Sequence, residues 1–343
     1  MFGVYEKLLY NGAMKNEQNS QQMIDRRKFY SQDDSGKVYI FALALPILLS
    51  IVFVLIANVI SGATGLKSEQ ITDNIWFTTV AQIATAGLFI GIFFVYNKVN
   101  KIDNRSACFK TKMPWHTYLI IIAVGIVSLF GVQYFIGAVD DLLKLMGYPL
   151  EEPSPDLPES LINPKSFGIF ALSVFVTCVL PAISEELLFR GVIFQGLRRR
   201  FGDVASVLLS SLMFALMHQN LQQLVYPFFL GTIMSWLVLR TGSLFSSMLV
   251  HFTNNFLTIL FTYLSNVTSF SLELPEVWWF YLLAVLLLAA TFVVFYLIDR
   301  FYFKHKSSEE VERTENKTTK YIYISLSIAV VLFLFLSIYN FLI

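Results

Sequence analysis

Charge is what this sequence has least of. Only 14% of its 343 residues are Asp, Glu, Lys or Arg, against 56% hydrophobic ones, and the mean hydropathy is +0.62. A soluble domain carries roughly 25% charged residues to solvate its surface, so a water-soluble globular class is excluded. Cysteine is also nearly absent: Cys108 and Cys178 stand alone, one in an expected loop and one in an expected helix, which excludes a disulfide framework. With a net charge of +1 and no basic stripe, nothing resembles a nucleic-acid footprint. The first 37 residues lack the apolar core of a signal peptide, so the first hydrophobic run is expected to be retained as a span.

What the chain does have is long apolar runs of about 20 residues, enough to cross a hydrocarbon core of roughly 30 Å at 1.5 Å per residue. Nine such segments are expected, at 38–62, 75–97, 116–139, 166–197, 204–219, 222–239, 243–265, 277–298 and 321–343. The expected fold is all-α, a polytopic transmembrane helical bundle of about nine spans, eight plus an appended C-terminal one. Basic residues cluster in the N-terminal tail (Arg26, Arg27, Lys28, Lys37), in the second connection (Lys98, Lys101, Arg105), at Arg198, Arg199 and Arg200, at Arg240, and in 300–320. They alternate with acidic or neutral loops such as 151–160, which places the N-terminus in the cytoplasm and the C-terminus outside. The short segments 204–219 and 222–239 leave these orientations unchanged if they form a re-entrant pair.

The organisation that follows is a cytoplasmic tail (1–37), N-terminal transmembrane helices (38–147), a catalytic core (165–300), a charged cytoplasmic linker (301–320) and an additional helix (321–343).

Ionisable groups at membrane depth cost roughly 2.5–3.5 kcal/mol each on insertion scales and must face a bundle interior or a wet cavity. Three separate apolar segments nevertheless carry them. The fourth contains Glu185, Glu186 and Arg190, the fifth Phe214 and His218, and the seventh His251, Asn254 and Asn255. Glu186 and Arg190 are four apart with the acid first, the favourable order for an intrahelical ion pair. Glu185 lies about 100° around the helix, so one acid is held and the other is free to react. His251 and Asn255 are also four apart and share a face. Pro181, four residues before Glu185, removes a backbone hydrogen bond and bends the helix beside the site. Counted from Arg200, Asp203 and Arg240, the groups on all three helices arrive at a depth of about 16–22 Å.

Taken singly, His218 or Asn254 reads as a helix-bridging group and Phe214 as packing. Taken together, the groups suit hydrolysis of an amide, which needs an activated water, a proton donor for the leaving nitrogen and donors for the oxyanion. Glu185 with His218 is placed to activate the water, and His251 with Asn255 to bind the oxyanion. A divalent metal such as zinc, held by Glu185, His218 and His251, is the other way to activate water at such a site; the residues leave both open. No His is followed by Glu, no pair of transmembrane Asp is evident, and no serine stands out as a nucleophile beside a base, so other intramembrane protease chemistries fit badly.

The ordered set of Glu185-Glu186 with Arg190, Phe214 with His218, and His251 with Asn255 resembles the CPBP or Abi family of CAAX proteases and bacteriocin-processing enzymes, relatives of the Ras-converting CAAX prenyl endopeptidases. The resemblance covers residues 165–300. It implies an intramembrane endopeptidase, often labelled a metalloprotease, acting on a peptide or prenylated protein substrate in the bilayer. By resemblance Glu185 and His218 activate water, Arg190 holds Glu186, and His251 and Asn255 bind the oxyanion. Two rival readings are a catalytically silent immunity or scaffold protein and a proton-coupled transporter, the latter disfavoured by the lack of an inverted repeat.

Overall fold

The computed structural model describes residues 29–107, 113–146, 158–219, 224–268 and 320–342, with isolated positions between 282 and 300; over much of 134–143 and 335–342 it describes the backbone alone. The expected tail up to residue 28, the segment 277–298 apart from those isolated positions, and the linker up to residue 319 lie outside the described residues. Within them the protein is α-helical, with no strand.

Helix α1 (Gln32–Thr64) begins six residues before the expected span, because Ser31 and Asp34 close a reciprocal capping box on its first turn, which satisfies two orphan backbone donors. A short α2 (Ser68–Thr72) leads into α3 (Ile75–Val99), capped by Asn74. Next come α4 (Trp115–Leu145), the single turn α5 (Glu159–Ile162) and the long α6 (Phe167–Phe201). Helices α7 (Asp203–Met217), α8 (Val225–Thr241), α9 (Leu244–Val267) and α10 (Lys320–Leu342) complete the described chain.

Helices α1, α3, α4, α6 and α9 are long and apolar enough to cross a membrane. The expected segments 204–219 and 222–239 are found as α7 and α8, two shorter apolar helices of 15 and 17 residues, about 22 and 25 Å long at the helical rise. They pack closely on one another, and α7 stops at Met217. His218 follows as its C-cap, and Gln219 takes a left-handed conformation at φ 53°, which a non-glycine residue seldom adopts.

Two close crossings tie α1 into the bundle. Gly196 near the end of α6 lies so near the start of α1 that a Cβ there would collide with Ser35 Oγ and the Ser31 carbonyl; Ser35 Oγ donates to Ile193 O (2.8 Å). At Gly36 the backbone of α10 lies directly against α1, at Tyr321 and Ile322, and Lys37 Nζ sits 4.7 Å from the centre of the Tyr321 ring. The first turns of α1 and α10 and the last turn of α6 therefore share one end of the molecule. Deeper in, Tyr39 OH donates to Met213 O (2.7 Å) and links α1 to α7. On the other side, Asn254 of α9 donates to Gly125 O of α4 (3.0 Å) and accepts from Tyr226 OH of α8 (2.6 Å). These polar bolts draw α4, α8 and α9 around α6, the helix that carries the acids.

Candidate active site

The local shape of α6 sets the site. Its helical path widens into π-type turns at Val174–Val179 and again at Phe189–Ile193, bracketing the regular stretch Leu180–Leu188 that holds Pro181, Glu185 and Glu186. Such single-turn widenings concentrate at functional sites. Here the first lies beside the proline, which lacks the donor a regular helix needs.

Glu186 and Arg190 form the pair that their spacing leads one to expect. Arg190 Nη1 donates to Glu186 Oε1 at 2.7 Å, and both side chains are fully buried. The arginine is held on every side. Its Nη2 donates to Gly231 O (3.3 Å) and its Nε to Ser235 Oγ (3.4 Å), which lies 3.1 Å from Ser210 Oγ. The guanidinium stacks over the Phe214 ring at 4.4 Å, an attraction worth more once desolvated. Space at Gly231 is tight: a Cβ would come within 3.1 Å of Arg190 Nη2 and 3.2 Å of the Ser211 backbone.

His251 reaches in from α9 and bridges the two acids. Its Nδ1 lies 3.0 Å from Glu186 Oε1, and its Nε2 stands 4.0 Å from Glu185 Oε2. Because a carboxylate only accepts, the short contact assigns the proton to Nδ1 and turns Nε2 toward Glu185. The gap of 4.0 Å is too long for a direct hydrogen bond and is the kind of separation across which a water bridges. The other oxygen, Glu186 Oε2, is buried without a hydrogen-bond partner among the described residues. Ser247 lies beside this carboxylate, but its hydroxyl donates to Leu244 O (2.9 Å). Glu185 differs from its neighbour in exposure: its side chain is 19% exposed, against 0% for Glu186.

His218, at the end of α7, is half-buried. Its Nδ1 donates to Phe214 O at 3.0 Å, which leaves Nε2 as the lone-pair side of the ring. Phe214 is the common wall, its ring edge-on to His218 (5.0 Å between centres) and to His251 (6.0 Å). Asn255 is half-buried and turned toward α6, with Nδ2 donating to Thr177 O at 2.8 Å.

Glu185, Glu186, Arg190, His251, Phe214 and His218 thus form one contiguous group, while Asn255 turns its amide to the backbone of α6. Among the described residues, no three His, Cys, Asp or Glu side chains are grouped so as to hold a metal ion. Glu185, His218 and His251 in this arrangement do not make a three-ligand set. Sequence reasoning passed over Gly231, Ser235 and Thr177. The first two are small or polar residues four apart on a largely apolar helix, a signal that points to no partner.

The comparisons with known proteins fall on these same helices. The profile of the Rce1-like family, type II CAAX prenyl endopeptidase Rce1-like, matches residues 167–257, which run from the start of α6 to just beyond Asn255. An Escherichia coli protein described as an uncharacterized 24.3 kDa protein is 30% identical over 146 residues, which are 40% of this chain and 67% of that one. No solved structure matches. With its apolar helices of membrane-spanning length, the chain is an integral membrane protein, and it belongs to the CPBP/CAAX protease family.

Proposed function

We propose that the protein is an intramembrane endopeptidase in which Glu185 activates a water to attack a peptide carbonyl. The observation that carries this reading is the asymmetry of the two acids about His251: Glu186 is locked on Nδ1 at 3.0 Å, and Glu185 is partly exposed 4.0 Å from Nε2. In the reaction, Glu185 takes one proton from the water as its oxygen bonds to the carbonyl carbon. The C–N bond then breaks and the amine leaves with that proton, so glutamate is regenerated. His218, with its Nδ1–H spent on Phe214 O, offers Nε2 as a second acceptor for the water. On its way from Glu185 to the amine, that proton rests on His251 Nε2, whose N–H then faces the oxyanion while Nδ1–H stays on Glu186 Oε1.

The catalytic unit of this reading is the core 165–300, with the earlier helices as its flank. The substrate class is a membrane-associated peptide or prenylated protein, by analogy with the family. The N-terminus is cytoplasmic and the C-terminus outside. Consistent with that orientation, the starts of α1 and α10 meet at Gly36 and Tyr321, and the Arg198–Arg200 run lies at the same end, with Arg199 over Phe29 at 4.4 Å. A silent scaffold would not need a partly exposed acid held beside an imidazole whose other nitrogen is fixed on Glu186. Comparing membrane peptidomes from cells carrying wild-type and Glu185→Gln protein tests the proposal. Peptides whose new C-termini appear only with the wild type are expected; identical peptidomes would sink it.

A further inference from the structure

Pro181 leaves a debt that α9 settles. In a regular helix the carbonyl of Thr177 would receive the N–H of residue 181, four positions on; proline has none, and its ring crowds that carbonyl. The helix widens over Val174–Val179 at this point, and Asn255 Nδ2 donates to the Thr177 carbonyl at 2.8 Å across 78 positions of chain. The Thr177 hydroxyl takes no part, since it donates back to Ser173 O (2.8 Å). Asn255 is one turn from His251 on α9, and Glu185 is one turn beyond Pro181 on α6. The two helices are therefore pinned twice, by Asn255 to Thr177 and by His251 to Glu186 (3.0 Å), with Glu185 between the pins.

Resting on the hydrolytic reading of Glu185, we propose that Asn255 is a positioning residue: its amide replaces the donor missing from Pro181 and holds the bend in α6 that sets Glu185 against His251. This differs from a role in which the carboxamide acts only by binding the oxyanion. A donor to the oxyanion is needed whatever residue stands at 181. A donor to Thr177 O becomes dispensable once residue 181 has its own N–H and the five-residue turn, in which Leu180 N–H reaches Phe175 O, closes to regular four-residue pairing.

Two readouts on the full-length protein in detergent decide between them. In hydrogen exchange, Asn255→Ala is expected to raise exchange over 174–188 by about fivefold or more, the scale of one lost hydrogen bond. The further change Pro181→Ala is expected to bring exchange back to within about twofold of wild type. With a quenched fluorescent farnesylated peptide as probe, Asn255→Ala is expected to lower kcat with KM held within about twofold. In the Pro181→Ala background the same substitution is expected to change kcat by less than about threefold. Unchanged exchange over 174–188 in Asn255→Ala, or an equal kcat loss in both backgrounds, overturns the proposal. Failure to cleave the probe counts against the hydrolytic reading or its substrate, and the exchange result still decides the role of Asn255.

Discussion

Glu185→Gln is expected to slow peptide cleavage by roughly 10²–10⁴-fold, the usual contribution of a positioned general base, while leaving the protein folded. The substitution keeps the side-chain volume and removes the basicity. It disturbs little else, because Glu185 is outside the Arg190 pair and approaches His251 only to 4.0 Å. Thermal unfolding in detergent is expected to shift by no more than about 3 °C, the scale of a change below roughly 1 kcal/mol. Initial rates and melting curves on one preparation check both halves. A variant that cleaves at the wild-type rate removes Glu185 from the chemistry.

Glu186→Gln is expected to act in the opposite proportion, on stability first. Both partners of the 2.7 Å pair are fully buried, and breaking such a pair by removing one charge costs about 3–5 kcal/mol, since the other is left uncompensated. The remaining contacts of Arg190 are to Ser235, Gly231 O and the Phe214 face, and none of them carries a negative charge. Arg190→Met is expected to be as harmful, stranding Glu186. The double variant Glu186→Gln/Arg190→Met is expected to be more stable than either single one, because no isolated charge remains. It should nonetheless be inactive, as His251 Nδ1 then has no carboxylate. Melting in detergent across the four proteins measures the coupling; additive losses would show that the pair is not a unit.

Much of this site can be read from residue spacing and the cost of burying charge. The i,i+4 separation of Glu186 and Arg190 leads to their ion pair, and an apolar helix that keeps two glutamates advertises an interior site. His251 and Asn255 share a helical face for the same reason. Spacing cannot say what that face meets, and the two residues part company: His251 lies against Glu186, 65 positions earlier, while Asn255 lies against the Thr177 backbone. Pro181 announces a bend, but the partner of the carbonyl it frees comes from another helix. Apolar runs locate α1, α3, α4, α6 and α9 within a few residues. They place α7 and α8 as well, but hydrophobicity alone does not reveal that α7 ends on a left-handed Gln219. The apolar run does not reveal the start of α1, because a capping box is a local polar signal lying outside it.

The central claim is that a water held by Glu185, rather than a side-chain nucleophile, attacks the peptide bond. It is tested most directly by letting the reconstituted protein cleave the farnesylated peptide in heavy-oxygen water containing hydroxylamine, with mass analysis of the products. One heavy oxygen in each new carboxylate, no hydroxamate, and neither signal from Glu185→Gln is the expected result. A hydroxamate product would reveal an acyl-enzyme, and it or heavy-oxygen incorporation by the glutamine variant at the wild-type rate would contradict the claim.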